Sequence, residues 1–194
     1  IEGYRAFCNK IWNATRFILM NLGEGFTPQK PEAADLEPFD RWILHRLNAA
    51  VRGVTTALEE YRFNEAAHAI YDFWWGEFCD WYLELAKTRL YGGGSERSSS
   101  TARQVLYHVL TTGLKLLHPF MPFITEEIWD RVKPSGESLM ISAAWPVADA
   151  SLEFPAEAAE AALFQEIVYR IRNVRGELNL PPDRKANVIF KTSS

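Results

Sequence analysis

Apolar residues recur at intervals of three and four through most of this 194-residue chain. That is the period of amphipathic helices rather than of strands. Phe7, Ile11, Ala14, Ile18 and Leu22 fall within an arc of about 80° at ~100° per residue, so a first helix is predicted over 3–22 with that stripe inward. Gly23-Glu24-Gly25 stops it, and Pro28 and Pro31 hold the next stretch open. A second helix is predicted over 35–61, N-capped by Asp35, with Leu36, Phe39, Ile43, Leu47, Val51, Val54 and Leu58 as its apolar face. A third, from Asn64 to Leu90, would bury Ala67, Ile70, Trp74, Phe78, Trp81 and Leu85. At that pitch Trp75 and Tyr82 fall outside the stripe and stay partly exposed.

Residues 92–100, rich in Gly and Ser, read as a flexible connector. They lack the Lys-Ser/Thr that completes a phosphate loop. A fourth helix is predicted over 101–117, interrupted by His118-Pro119-Phe120-Met121-Pro122, with a short helix over 123–133 behind it. Residues 134–146 read as irregular, with a short extended piece at 139–142. Composition then shifts: 149–160 holds Asp149, Glu153, Glu157 and Glu160 and no basic residue. The helix predicted over 156–178 turns basic in its second half. Leu180-Pro181-Pro182 ends it, and 186–191 alternates as a strand would. The pattern predicts an all-α helical bundle as one domain, 1–148. Residues 149–194 read as the start of a small α/β C-terminal element, a truncated helix-strand segment. Beginning at Ile1 and ending just after that strand, the chain reads as a piece of a larger protein.

Hydrophobic residues at 47% and charged residues at 24% exclude a disordered chain, which lacks apolar surface to bury. The longest uncharged stretches, 104–114 and 138–148, run 11 residues, well short of the roughly 18 that mark a membrane-spanning helix. No signal peptide is visible. Cys8 and Cys79 form neither a disulfide framework nor a zinc motif and fit a reducing compartment. His45, His68, His108 and His118 lie in separate segments without metal-ligand spacing. No nucleophile elbow or dinucleotide turn appears. Glu59-Glu60 and Glu126-Glu127 are adjacent pairs, which point about 100° apart on a helix and do not face each other. No catalytic residue and no metal site is therefore expected. The net charge of −4 argues against a general nucleic-acid binder.

Three local features complicate that view. On the first helix, Lys10, Asn13 and Phe17 sit away from the core stripe, and Arg16 lies one step further round. An aromatic among cations and an amide suits an unpaired base, with the ring stacking and the polar groups taking phosphate or base edges. Spacing alone favours the plainer reading, a Phe17 packed beneath the 23–31 loop with solvated neighbours. On the third helix, Glu77, Asp80, Glu84 and Lys87 are spaced three, four and three. They are either a solvated stripe closed by a Glu84–Lys87 pair or a carboxylate set able to accept from a cytosine amino group. Finally, Arg170, Arg172, Arg175, Arg184 and Lys185 form a basic patch. Local charge sets the field a polyanion meets, so the overall −4 leaves room for backbone contact there.

Asn9-Lys-Ile-Trp-Asn-Ala-Thr-Arg-Phe17 resembles the opening helix of the anticodon-binding domain of bacterial-type valyl-tRNA synthetases. Phe63-Asn-Glu-Ala-Ala67, Glu77-Phe-Cys-Asp-Trp-Tyr-Leu-Glu-Leu-Ala-Lys87 and Leu117-His-Pro-Phe-Met-Pro-Phe-Ile-Thr-Glu-Glu-Ile-Trp129 are similar to its later helices. Arg170-Ile-Arg-Asn-Val-Arg-Gly-Glu-Leu-Asn-Leu-Pro-Pro182 is similar to the segment that follows that domain, before the C-terminal coiled-coil arm. The 117–129 run marks the wider class I branched-chain synthetases, and the 77–87 run favours valyl over isoleucyl, leucyl or methionyl members. The resemblance implies the class I anticodon-binding bundle and a tRNA anticodon recognition module. The full ligase would join valine to its tRNA using ATP in the cytoplasm. It implies that Lys10, Arg16, Phe17 and Glu84 meet anticodon bases, with Asn13 and Lys87 as extensions of that set. The expected partners are a valine-accepting tRNA and the missing catalytic domain of the same chain, with no membrane. No counterpart of the family's ATP signatures is present, so this piece holds no cofactor of its own and should not catalyse. A helical scaffold that meets another protein is the competing expectation.

Overall fold

The computed structural model describes residues 2–134, 136–181 and 183–189. Helix α1 (Glu2–Leu22) buries Phe7, Ile11, Ala14 and Ile18, the stripe its spacing predicts. The loop after it turns at Gly23 and Gly25, both at positive φ (81° and 76°), where a side chain would be strained. Gln104 pins this loop, accepting from the Gln29 N–H at 2.8 Å and donating to the Thr27 carbonyl at 3.0 Å.

Helix α2 (Pro38–Glu59) starts three residues later than expected at its cap. Asp35 closes a short 3-10 turn (Ala33–Asp35) and pairs with Arg97. The cap is Glu37, reciprocated by Asp40 in a capping box, with Pro38 at the first helical position. That proline has no N–H to satisfy, which makes it a better start than the residue after Asp35.

Helix α3 is continuous but changes pitch. It begins as an α-helix (Phe63–Asp72), winds as a π-helix (Phe73–Tyr82), returns to α (Leu83–Thr88) and ends in a π turn (Arg89–Gly93). The buried residues include Ala66, Ile70, Trp74, Phe78, Tyr82 and Ala86, an unbroken step of four, flanked by Phe73, Cys79 and Leu83. In an α-helix that step drifts by about 40° each time. Wider π turns cancel the drift and hold the stripe against the core. Tyr82 is therefore 1% exposed, not half-exposed as the α pitch predicts, while Trp81 and Leu85 are only half-buried. Trp75 does remain half-exposed.

Helix α4 (Glu96–Leu117) takes over most of the predicted connector. Ser95 caps it by accepting from the Ser98 N–H at 3.2 Å. The Gly-Ser composition thus marks a helix start, with Gly92 at φ 109° providing the turn. Helix α5 (Pro122–Val132) follows. Residues 139–142 are not extended: Met140–Ser142 is a 3-10 turn, held by Glu126 accepting from the Met140 N–H at 3.0 Å. Trp74 and Trp129 are the largest fully buried side chains, and α1, α2 and α3 pack around α4.

The chain divides into two compact units, one up to Ala158 and one from Ala159. The first unit runs ten residues past the composition shift near 148, for a physical reason. Asn48 on α2 donates to the Asp149 and Leu152 carbonyls at 2.7 and 3.2 Å and accepts from the Asp149 N–H at 3.0 Å. Arg41 reaches Glu157 at 2.8 Å. The acidic run is thus strapped onto α2. Asn48→Ala should cost about 1–3 kcal/mol in urea unfolding, because it leaves backbone groups of 149–152 without partners.

Helix α6 (Pro155–Glu177) begins in the first unit and supplies the helix of the second. In the second unit Arg175 donates to the Pro181 and Arg184 carbonyls at 2.8 and 3.0 Å, closing the turn beyond the helix. Residues 186–189 are not a strand, since no second strand pairs with them among the described residues. The rest of the expected strand, 190 and 191, lies outside the described residues, as does Pro182.

Candidate nucleic-acid interface

A groove of about 560 Å³ runs between α1 and α3. Its lining includes Lys10, Asn13 and Phe17 from α1 and Glu84 and Lys87 from α3. Five of the six residues singled out as base contacts therefore converge, from segments some 70 positions apart. Arg16 does not line it. It is exposed one step round α1, with no ion-pair partner among the described residues.

Phe17 is half-exposed. Tyr91 meets it edge-on at 6.2 Å between centroids, and the Lys87 ammonium lies 5.6 Å from its ring. The loop below α1 uses a different ring: Phe26 packs on Tyr107 at 5.4 Å. Lys87 also pairs with Glu84 at 2.6 Å, so the i,i+3 pair that spacing allows does form. A carboxylate has about four acceptor positions, so Glu84 can hold Lys87 and still accept from a base.

Lys10 pairs with Asp80 and rests over the Trp75 ring, its ammonium 4.1 Å from the centroid. Trp75 stacks in turn on Tyr71 at 5.7 Å and on Phe7 at 6.2 Å. The third carboxylate of the stripe, Glu77, grips Arg46 of α2 with bonds of 2.6–3.0 Å and takes no part in the groove. Cys79 lies at the groove, its thiol pushed up to about 12 by burial. It stays protonated and unreactive at neutral pH.

Asp80 and Trp75 also line the groove but were not in the expected base-contact set, and Tyr91, which is not part of the lining, meets Phe17. Asp80 lay inside the acidic stripe but nothing distinguished it from its neighbours. Trp75 was read as partly exposed, but nothing in the aromatic run tied it to Lys10. Tyr91 follows the last apolar position of α3, and only the adjacent Gly92 hinted at a chain turn that would expose it.

The basic patch is less available than its composition suggests. Arg170 pairs with Glu166 at 2.6 Å, one turn back. Arg175 is engaged by the two carbonyls described above, and Arg172 also has interactions of its own. Arg184 and Lys185 are exposed. Among the described residues no group of three His, Cys, Asp or Glu is placed to hold a metal ion, and no helix is long and apolar enough to cross a membrane.

Residues 40–190 match the family described as the anticodon-binding domain of tRNA ligase. The chain is 51% identical over 193 residues to the valine–tRNA ligase of Carboxydothermus hydrogenoformans, and 52% identical over 198 residues to that of Geobacter sulfurreducens. Each alignment takes in 100% of this chain and 22% of the relative, so the chain spans about a fifth of the length of the curated relatives it matches. The ternary complex of Agrobacterium radiobacter K84 agnB2 LeuRS-tRNA-LeuAMS contains a similar fold, with a TM-score of 0.58 at 24% identity over 78% of this chain and 17% of that one. The match to more than half of the chain, on a bundle whose α1–α3 groove gathers the expected residues, establishes that this chain belongs to the anticodon-binding domain family of tRNA ligases.

Proposed function

We propose that the α1–α3 groove grips the anticodon loop of a valine-accepting tRNA on behalf of a valine–tRNA ligase. The convergence of Lys10, Asn13, Phe17, Glu84 and Lys87 carries this reading. Valine anticodons end in A-C. Phe17 offers a ring face for a base, and Glu84 accepts from the cytosine amino group. Lys10 keeps two N–H donors beyond the one given to Asp80 and serves carbonyl or ring-nitrogen acceptors. Asn13 donates and accepts along a base edge. Arg16, outside the groove, takes a phosphate, and in the second unit the exposed Arg184 and Lys185 are available to an RNA backbone.

The identity to valine–tRNA ligases across the whole chain supports valine over isoleucine, leucine or methionine as the amino acid served. Activation of valine with ATP and its transfer to tRNA belong to the remainder of a longer, cytoplasmic ligase. A cavity of about 810 Å³ lined by Phe7, Ile70, Tyr71, Leu117, Phe120 and Met121 supports a contact with that remainder. The same cavity is what favours the second reading, a domain that chiefly meets protein.

Phe17→Ala should weaken binding of a valine-type anticodon stem-loop by about 1–3 kcal/mol, the range for a base-stacking aromatic. Fluorescence anisotropy of a labelled stem-loop measures it. Undiminished affinity in a folded variant would favour the protein-contact reading.

A further inference from the structure

The ionised residues lining the groove are Lys10, Lys87, Asp80 and Glu84, two positive and two negative, so their charges cancel. A groove built only to attract RNA would be basic. The cancellation is local and paired: Glu84 answers Lys87 on the same helix, whereas Asp80 reaches across to Lys10 on α1. Asp80 keeps about half of its side chain in solvent (48%) while Lys10 keeps a quarter (24%). The carboxylate therefore stands on the open side of a lysine already seated on Trp75. We propose that Asp80 is a specificity residue, cancelling Lys10 inside the groove so that nucleobases enter and phosphates do not. This rests on the anticodon reading above.

A bare lysine is a point charge that takes any phosphate. With Asp80 beside it, a phosphate approaching Lys10 meets a like charge at nearly the same distance and gains little. An uncharged base loses nothing by that arrangement. Its carbonyls accept from Lys10 and its amino groups donate to the carboxylates. Phosphates are left to Arg16, exposed on the next face of α1. Discrimination of this kind works by penalising the wrong partner as much as by rewarding the right one.

The test uses the 194-residue chain, two labelled anticodon stem-loops and a series of salt concentrations. One loop carries the valine-type A-C bases and the other has both replaced. Asp80→Asn should raise affinity for the replaced loop about fivefold, the worth of one unit charge at contact distance in water. It should raise affinity for the valine-type loop less, so that discrimination falls. The salt dependence should steepen by about one phosphate contact. The Lys10→Gln/Asp80→Asn double variant, neutral again, should return to the wild-type salt slope. Asp80→Ser makes the same charge change if Asn disturbs folding, which thermal unfolding monitors. Equal weakening of both loops with an unchanged slope would mean that Asp80 only positions Lys10, and would overturn the proposal. No change in either loop would overturn it too. A wild-type chain that fails to separate the loops would instead bring down the anticodon reading itself.

Discussion

Asp40→Ala is expected to lower the free energy of unfolding by about 3–5 kcal/mol, the loss that follows when one partner of a buried ion pair is removed. Asp40 is 0% exposed. One carboxylate oxygen accepts from the Tyr82 hydroxyl at 2.5 Å and from the Arg89 guanidinium at 2.7 Å. The other accepts from the Glu37 N–H at 3.0 Å, completing the cap of α2. Arg89 extends the cluster to α4, donating to the Ser98 hydroxyl at 2.9 Å and to its carbonyl at 2.7 Å. Three helices thus meet at one carboxylate. Burial, reinforced by the Asp40 charge, holds the Tyr82 phenol well above its ordinary range, so it is a donor at neutral pH. Removing Asp40 leaves the buried Tyr82 phenol without its acceptor and takes from the Arg89 guanidinium its shorter ion pair, leaving it Glu37 and Ser98. Urea unfolding with an unchanged m-value would register the loss as a lower midpoint. A loss below about 1 kcal/mol, the scale of a solvated surface pair, would contradict the cluster's structural weight.

Trp74→Ala should cost a similar amount, about 3–5 kcal/mol, for a different reason. The indole is fully buried, lies against Gly113 of α4 and donates to its carbonyl at 3.2 Å. A Cβ at Gly113 would come within 3.1 Å of the ring, so the glycine is there to let the ring lie close. Phe78 meets the same ring edge-on at 5.4 Å. Truncation opens a cavity that rigid helices on both sides cannot close. Thermal unfolding of the variant checks this. A drop of less than about 1 kcal/mol would mean that α3 and α4 collapse into the gap.

These two sites show where a sequence is readable and where it is not. Among the described residues periodicity located each of the six α-helices, and for α1 and α2 it also picked most of the buried face, because both hold the α pitch throughout. It failed on α3 beyond Phe78. There the chain winds in π turns, and the stripe steps to Tyr82 and Ala86 in place of Trp81 and Leu85. Nothing in the local sequence separates a stretched pitch from a regular one. The Asp40 cluster was invisible for another reason. Its members come from residues 37, 40, 82, 89 and 98, each unremarkable in its own segment, and only the packing of three helices makes them a unit. The candidate base-contact set was legible in part. A helix wheel exposes a misplaced Phe17 beside Lys10 and Asn13, but it cannot tell which residue of another helix stands opposite. That Asp80 faces Lys10, and that Tyr91 meets Phe17, are tertiary facts. That the first compact unit takes in 149–158 was not legible either, because an acidic, turn-rich stretch looks like a linker until Asn48 and Arg41 are seen to hold it.

The central claim is that the groove between α1 and α3 reads anticodon bases. Its most direct test is the affinity of the wild-type chain for two anticodon stem-loops of identical stem, measured at one physiological salt concentration. The loop carrying A-C should bind more tightly than the loop with both bases replaced, by about 1–3 kcal/mol for each base read. Equal affinity for the two loops would contradict it.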